Sequence, residues 1–342
     1  MNKIIPTVLV PLISSIPGTS SHLNFRDVLG AMKVRWGIQR NSFKVDPGLY
    51  KLGTPGRQSD VFVTANYKLS FDTLRKNLDG MNAWILVLDT KGINVWCAAG
   101  KGTFGTAELI DRISKTSLNE IVAHKRIIAP QLGAVGVAAH EVKKHIGFTV
   151  VYGPVRAKDI KDFISAGYKT DKEMRRVKFT FSDRLKLVPV ELVNAKYWLI
   201  GAIALFLVLS GLNQKGLSFD LIHGTALQTT MIIVAGYISG AVFSPLLLPM
   251  IPFRSFSLKG AVLGIMAAAI LFLNNYLGEA FLEILSWFLL LPAVSSYLAM
   301  NFTGASTYTS LSGVKKEMRI AVPAQIIALV SGVTLYIISK FL

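Results

Sequence analysis

The stretch AWILVLDTKGINVWCAAGK, residues 83–101, decides which fold this chain can adopt. Its first six residues are all apolar, which is typical of a strand that is buried on both faces of a sheet. A polar turn follows, and Asn94 can then cap a helix, because its side-chain oxygen can accept a hydrogen bond from an amide one turn ahead. The stretch therefore predicts a buried strand and a very short helix over 95–101, which Gly102 can end.

Further strand-like runs and helical stretches alternate around this segment. Near-continuous apolar strands that alternate with helices indicate a mostly parallel, Rossmann-like α/β sheet covered on both faces. Such sheets bind ligands outside the carboxyl ends of their strands, so we expect the turns there to form a cofactor site. The predicted strands are Asp60–Thr64, Ala83–Asp89, Arg126–Ala129 and Gly147–Tyr152, and the predicted helices lie at about 71–79, 95–101, 106–118, 136–146 and 158–166.

The second half of the chain has a different composition. Residues 1–196 hold 30 of the 37 Lys and Arg and 16 of the 20 Asp and Glu, whereas residues 197–342 hold 7 and 4 and are rich in apolar residues. A membrane-spanning helix needs roughly 20 apolar residues. Five segments are long enough, and Pro245 and Pro249 predict a kink or bend at the end of the second. The five predicted spans are about 196–213, 224–250, 258–277, 280–301 and 320–341.

The loops between these spans predict an orientation. Arg254 and Lys259 lie in one basic loop and residues 315–319 in another, whereas Glu279 stands alone in an intervening loop. The positive-inside rule then places the N-terminal domain in the cytoplasm and the C-terminus outside, in a multi-pass protein of the cytoplasmic (inner) membrane. Charges within spans mark transport pathways, but Glu283 and His223 are both explained by interfacial positions. Whether the spans transport a metal or only anchor the protein stays open.

The net charge of +17 and the single cysteine limit the function classes. Much of the positive charge lies between Lys158 and Lys196, where basic residues would face anionic membrane lipid, and without a nucleic-acid-binding motif we expect no nucleic-acid partner. One cysteine can neither form an intramolecular disulfide nor hold an iron–sulfur cluster. Pro6, Pro11 and Pro17 interrupt the apolar N-terminus, which is therefore interpreted as an extended leader and not as a signal peptide.

Together these patterns predict four segments of the chain. Residues 1–57 form a leader or extension whose structure is left open, and 58–185 form the α/β domain. Residues 186–195 are a linker, and 196–342 form an all-α transmembrane domain with five helices.

Cys97 is predicted to lie in the first turn of the short helix. There the unpaired amides and the positive end of the helix dipole favour thiolate over thiol, and Lys101 adds a positive charge one turn on. A thiolate can serve as a soft metal ligand or as a nucleophile. A free cysteine is more often a small buried apolar residue, and that alternative is equally open here. The small side chains at 98–100 suggest that something flat and wide lies against this turn.

The run Asn94-Val95-Trp96-Cys97-Ala98-Ala99-Gly100-Lys101 resembles the cap-helix signature of the mercury-methylating corrinoid proteins, the HgcA family. In that family the cysteine coordinates the cobalt of a cobalamin-type cofactor from its lower face. Other segments resemble the family's corrinoid-facing loops and the cofactor domain of the corrinoid iron–sulfur protein of acetyl-CoA synthesis. They are Val63-Thr64-Ala65-Asn66-Tyr67-Lys68, Pro130-Gln131-Leu132-Gly133-Ala134 and Tyr152-Gly153-Pro154-Val155-Arg156. The spans are similar too, as are Asn301-Phe302-Thr303-Gly304 and Tyr308-Thr309-Ser310.

The presence of Cys97 favours the mercury-methylating family, because the acetyl-CoA relative has no strong protein ligand beneath cobalt. The resemblance implies a corrinoid-dependent methyltransferase that passes a methyl group from methyl–cobalt(III) to Hg(II), forming methylmercury. It implies an HgcB-type ferredoxin with two [4Fe–4S] clusters as electron donor, and a methyltransferase or methylfolate as methyl donor. The implied cofactor-binding residues are Val63, Thr64, Ala65, Asn66, Tyr67, Asn94, Val95, Trp96, Cys97, Ala98, Ala99, Gly100, Lys101, Gln131, Leu132, Gly133, Ala134, Gly153, Pro154 and Arg156.

Two other functions are alternatives to this one. The first is a membrane-tethered corrinoid methyl carrier of the acetyl-CoA-pathway type, and the second is a five-span transporter with a nucleotide-binding regulatory domain. Residues 100–103 imitate the end of a phosphate-binding loop, but Val95 stands where its first glycine is required. His124, His140 and His145 are alternative cobalt ligands, for which a surface role is expected instead.

Overall fold

The computed structural model describes residues 14–305 and 311–342. The chain divides into two compact units, one comprising the chain up to Val34 and Ile38–Val177, the other comprising Arg35–Gly37 and Lys178–Leu342. The boundaries predicted from composition, at 57, 185 and 195, stay predictions. Pro6 and Pro11 of the predicted leader, and the motif at 308–310, lie outside the described residues.

The first unit is built on a six-stranded sheet of order β1-β2-β4-β3-β5-β6. The predicted mostly parallel sheet is confirmed, because β3 pairs in parallel with β4 and β5, and β5 with β6. The segment left open in the sequence supplies two more strands, of which β2 runs antiparallel to β4. The strands are β1 (Gly18–Thr19), β2 (Gly48–Leu52), β3 (Val61–Ala65), β4 (Ala83–Leu88), β5 (Arg126–Ala129) and β6 (Thr149–Tyr152).

In the described part of the first unit, seven α-helices accompany this sheet, and five of them lie where helices are predicted. Two predicted bounds are wrong for local reasons. The helix predicted over 106–118 breaks at Ser117, whose φ of 47° is left-handed. The strand predicted from Gly147 starts two residues later, because Gly147 itself ends the preceding helix with a φ of 73°. The helices are α1 (Phe25–Arg35), α2 (Lys68–Asn77), α3 (Val95–Gly100), α4 (Thr106–Lys115), α5 (Leu118–Ile121), α6 (Ala139–Ile146) and α7 (Ile160–Ser165).

Strand β4 shows why this sheet is apolar on both faces. Its six residues are all buried and alternate between two hydrophobic clusters. Trp84, Leu86 and Leu88 pack into the cluster on one face, and Ala83, Ile85 and Val87 into the cluster on the other. Because successive side chains of a strand point to opposite faces, a strand covered on both sides must be apolar throughout. The continuous apolar sequence at 83–88 therefore predicts that this strand is buried on both faces.

A buried ion network fixes α1 to α2. Lys68 Nζ lies 2.7 Å from Asp27 Oδ1, and Arg75 donates to Asp27 Oδ2 over 2.6 Å. Both cations also pair with Asp72. Burial raises the pKa of Asp27, but the hydrogen bonds from Lys68 and Arg75 outweigh this effect and lower the pKa from 3.8 to about 2. The ionised carboxylate therefore stabilises the fold above pH 3.8, and this contribution is lost as the pH falls through about 2.

The second unit is helical. Among the residues that the structure describes, four helices are long and apolar enough to cross a membrane by length and composition. The bent pair Phe181–Asn194 and Lys196–Ser210, at 52°, makes a fifth if it counts as one broken span. These helices overlap all five predicted spans. The α-helices of the second unit are α8 (Phe181–Leu185), α9 (Val188–Asn194), α10 (Lys196–Ser210), α11 (Phe219–Ile238), α12 (Ser244–Leu247), α13 (Phe256–Leu273), α14 (Phe281–Asn301) and α15 (Leu311–Ser339).

Several details of the spans differ from the prediction or refine it. The first does not reach residue 213, because Leu212–Asn213 pairs with Gly216–Leu217 in a small hairpin. Between α11 and α12 the backbone widens to a π-helical turn at Ser239–Phe243, next to Pro245, which has no N–H to donate. The irregularity predicted at the end of this span is therefore present. The charge of Glu283 is compensated, since Lys340 Nζ lies 2.8 Å from its Oε1.

Replacing Asp27 with alanine should destabilise the first unit by about 3–5 kcal/mol, because the buried Arg75 and the half-buried Lys68 lose a carboxylate partner. Urea-pulse proteolysis of the full chain, read from fragments of the first unit, measures the change. The matched control is Asp111→Ala, which breaks the exposed pair with Lys115 and should cost about 0.2–1 kcal/mol. Equal effects of the two substitutions would contradict a stabilising role for the buried network.

Candidate functional site

A cleft of about 400 Å³ lies at the carboxyl ends of the parallel strands, the edge that the sequence predicts. Residues from all four parallel-strand turns contribute to it. The lining is mostly apolar and carries a few polar groups, as is typical of small-molecule sites. The lining residues are Phe62, Val63, Thr64, Leu69, Ser70, Thr73, Leu74, Asn94, Val95, Trp96, Ile128, Ala129, Pro130, Leu132, Gly153, Pro154, Val155, Ala157 and Ile160.

The turn between β4 and α3 is held by the side chain of Asn66. Its Oδ1 accepts hydrogen bonds from Thr90 N at 3.2 Å, Thr90 Oγ1 at 2.8 Å and Gly92 N at 2.9 Å. Its Nδ2 donates to Asp89 Oδ1 at 3.3 Å. Asn66 is 1% exposed, so these bonds form away from water. Asn66 therefore positions the turn that carries the cysteine helix, and its predicted contact with a cofactor stays a prediction.

The start of α3 has the predicted cap. Asn94 Oδ1 accepts from Cys97 N at 3.0 Å, and the backbone beyond Gly100 ends the helix, with Gly102 at a φ of 80°. Cys97 is exposed to solvent. The alternative that it is a buried apolar residue is therefore wrong. Its neighbours differ, because Ala98 and Ala99 are buried against the domain and Trp96 is 42% exposed at the cleft.

Close packing beneath α3 sets its height over the sheet. A Cβ added to Gly136 would lie 2.1 Å from Phe104 O and 3.1 Å from Ala99 Cα, so a side chain has no room there. Gly133 is tight in the same way, since an added Cβ would meet the Phe104 ring at 2.4 Å. Gly133 therefore packs closely against Phe104, and its predicted contact with a cofactor stays a prediction. At Gly100, by contrast, an added Cβ meets nothing within 4 Å.

The predicted site residues fall into four groups. Eight line the cleft: Val63, Thr64, Asn94, Val95, Trp96, Leu132, Gly153 and Pro154. Six are buried and support it: Ala65, Asn66, Tyr67, Ala98, Ala99 and Gly133. Three are partly buried and outside the cleft lining: Gln131, Ala134 and Arg156. Three are exposed on α3 or just after it: Cys97, Gly100 and Lys101.

Sequence reasoning missed the first turns of two helices. Leu69, Ser70 and Thr73 of α2 line the cleft, as does Ile160 of α7. Each of these helices follows a parallel strand, so its first turn starts at the carboxyl edge, and that rule could have found them. Glu108 was also missed, although its Oε1 accepts from Asp89 N at 2.7 Å and so supports the same turn.

Charged groups and histidines complete the site's surroundings. The hydrogen bond from Lys91 lowers the pKa of Asp89 below its usual value, so this carboxylate stays ionised at the turn. His140 and His145 are exposed and lie 3.4 and 3.3 Å from Glu141, in the surface role expected for them. Within residues 14–305 and 311–342, no three His, Cys, Asp or Glu side chains come together as a metal site.

Replacing Asn66 with alanine should loosen the β4–α3 turn, because buried donors at Thr90 and Gly92 lose their acceptor, at about 1–3 kcal/mol per unsatisfied group. Hydrogen–deuterium exchange should become faster across residues 90–97 and stay unchanged in β6. The matched control is Asn77→Ala, which removes one bond to Thr73 O on α2. Unchanged exchange at 90–97 would show that Asn66 does not hold the turn.

Comparison with known proteins relates this first unit to subunits of acetyl-CoA enzymes. Residues 23–164 match the family model described as CO dehydrogenase/acetyl-CoA synthase delta subunit. The chain is 30% identical over 146 residues to the acetyl-CoA decarbonylase/synthase complex subunit gamma of Archaeoglobus fulgidus, which covers 41% of this chain and 31% of that protein. It is 31% identical over 122 residues to the gamma subunit of Methanocaldococcus jannaschii, covering 35% and 25%.

These matches cover about a quarter to a third of the relatives' length, and the family match contains the whole cleft and α3. The α/β unit is therefore related to these acetyl-CoA synthase and decarbonylase/synthase subunits, which confirms the relationship to the corrinoid protein of acetyl-CoA synthesis that its motifs indicate.

Proposed function

We propose that this protein is a membrane-bound, corrinoid-dependent methyltransferase that methylates Hg(II), with the Cys97 thiolate as lower axial ligand to cobalt. The observation that carries the proposal is the placement of Cys97. Its side chain is exposed on a short helix at the carboxyl edge of the sheet, and the preceding three residues line an apolar cleft. The relation to acetyl-CoA decarbonylase/synthase subunits supports a corrinoid as the ligand of this edge.

The residues present fit a wide, flat macrocycle. Ala98 and Ala99 are turned into the domain, and Gly100 has open space where a side chain would stand. Bulky side chains are thus kept off the exposed side of this turn, apart from Trp96. The cleft's apolar walls suit the hydrophobic part of such a ligand, and Thr64 and Asn94 offer polar groups at its edge.

The chain's own residues would position and tune the cofactor. A bound corrinoid supplies cobalt as the carrier of the methyl group. Cys97 donates electron density through sulfur, a softer and stronger donor than imidazole or water. Asn94 fixes the start of α3 through Cys97 N, and Asn66 fixes the turn before it. These bonds would hold the sulfur in one place against a bound corrinoid.

The proposal requires other proteins. Delivery of the methyl group as a carbanion leaves the cofactor in need of two electrons, which one cysteine in 342 residues cannot store as an iron–sulfur cluster. We propose an HgcB-type ferredoxin with two [4Fe–4S] clusters as electron donor, and a methyltransferase or methylfolate as methyl source. The relatives' names describe them as subunits of a complex, which supports a role in an assembly.

We further propose that the helical unit resides in the cytoplasmic membrane, with the α/β domain inside and the C-terminus outside. The four or five candidate spans support the membrane location. The orientation rests on the basic residues at Arg254, Lys259 and 315–319, which the positive-inside rule places in the cytoplasm.

Replacing Cys97 with alanine should abolish methylmercury formation in cells and change the visible absorption spectrum of corrinoid-loaded protein, because cobalt loses its sulfur ligand. Cys97→His should still bind cobalt but transfer the methyl group poorly. Lys115→Ala, on an exposed part of α4, is the control and should match the wild type. An unchanged spectrum together with full activity in Cys97→Ala would eliminate the ligand role.

A corrinoid methyl carrier of the acetyl-CoA-pathway type is the second candidate, favoured by the names of the relatives. The two candidates differ in the methyl acceptor. Labelled methylfolate supplied to cells should give labelled methylmercury that depends on this protein, and acetyl-CoA labelling should be independent of it. Label that enters acetyl-CoA only through this chain would instead make mercury an accidental acceptor.

A further inference from the structure

Helix α1 presents an apolar face outward. Phe25 is 78% exposed, Met32 53% and Trp36, directly after the helix, 47%. Val28 and Leu29 lie between them and are 46% and 38% exposed. At about 100° per residue, these five side chains fall within one arc of about 100°. This spacing makes one continuous stripe, unlike the scattered apolar residues of an ordinary surface.

The opposite face of α1 is fixed against the domain, so the stripe cannot turn inward. Asp27 is held in the buried network with Lys68 and Arg75. Gly30 packs against Phe43, whose ring an added Cβ would meet at 2.6 Å. Val34 is 1% exposed. The inward face thus carries the buried Asp27 carboxylate and the smaller residues Gly30 and Val34, and the outward face carries the large apolar side chains.

Cations flank the apolar stripe on both sides. On the same helical projection, Arg26 and Lys33 lie along one edge and Arg35 along the other, and all three are exposed. The acidic residue of the helix, Asp27, is neutralised on the inward face. An apolar arc bordered by Lys and Arg, with Phe25, Met32 and Trp36 at its centre, is the pattern of helices that lie in a membrane interface.

We propose that α1 lies in the headgroup layer of an anionic membrane leaflet, with the Phe25–Trp36 stripe inserted and Arg26, Lys33 and Arg35 on lipid phosphates. The chain's course supports a lipid surface as the occupant. Arg35, the last residue of α1, and Trp36 directly after it already belong to the unit that carries the apolar helices. The α/β domain then has a second membrane attachment besides its chain connection to the spans.

This inference rests on the proposed membrane location, and the test separates the two. Full-length Cys97→Ser protein carrying Met32→Cys, labelled with a nitroxide, is reconstituted in nanodiscs containing phosphatidylglycerol and phosphatidylcholine. Electron paramagnetic resonance compares collisions of the label with oxygen, which concentrates in lipid, and with a water-soluble nickel chelate. The label at position 32 should favour oxygen several-fold over the same label at Lys143→Cys, an exposed site on α6.

Two further measurements separate failure of the α1 inference from failure of the proposed membrane location. A label at Ile270→Cys, 59% exposed on α13, must favour oxygen if the helical unit is in the bilayer. If position 270 is lipid-accessible and position 32 prefers the nickel chelate, only the α1 inference fails. Protection of position 32 from both reagents would mean that protein covers the stripe, which also overturns it. Substituting Arg26, Lys33 and Arg35 with Glu should shift the label at position 32 toward the nickel chelate.

Discussion

The carboxamide of Asn66 connects the strand β3 to the turn that carries Cys97. Its oxygen accepts from two backbone amides and a hydroxyl in that turn, and its amide group donates to Asp89. A turn of this kind has backbone donors that strands and helices leave unpaired, and one buried side chain satisfies them. Because the bonds reach across adjacent parallel strands, the position of α3 is set by the sheet and not by the loop alone. The exposed sulfur is therefore presented from a rigid base, as a site that must bind in one geometry requires.

In this site, the residues that pack beneath α3 differ from those that α3 exposes to solvent. Phe104, Gly133 and Gly136 pack closely beneath α3, and none of their side chains offers a polar group to a ligand. Above them, Cys97 and Gly100 face open space, and Asn94 uses its side chain on the amide of Cys97. Small residues thus serve two unrelated purposes in this site. At 133 and 136 they allow the backbone to approach, and at 98–100 they keep the surface beside the sulfur low.

The sheet was predictable because a strand buried on both faces is apolar at every residue, as β4 is. The helix cap was predictable because Asn94 and Cys97 are only three residues apart. The structural role of Asn66 was not, since its partners lie 23 to 26 residues away and depend on which strands become neighbours. A motif includes Asn66 without distinguishing a residue that touches a ligand from one that holds the loop. For the same reason the motif does not reveal that Phe104 occupies the space beside Gly133. The β1 and β2 strands were missed because their short segments precede the first clear alternation of apolar strands and helices.

The basic residues of the N-terminal half serve several different structural roles. Lys68 and Arg75 form ion pairs with buried carboxylates, and these pairs neutralise the positive charge of both residues. Arg26, Lys33 and Arg35 border an apolar stripe, where desolvated phosphates would be the matching partners. The cations between Lys158 and Lys196 precede the apolar helices, where anionic headgroups would lie. The cations of α1 can be told apart from those of an ordinary solvated surface because its inward face is fixed by Asp27. With that face fixed, the outward position of Phe25 and Met32 follows from helix geometry alone.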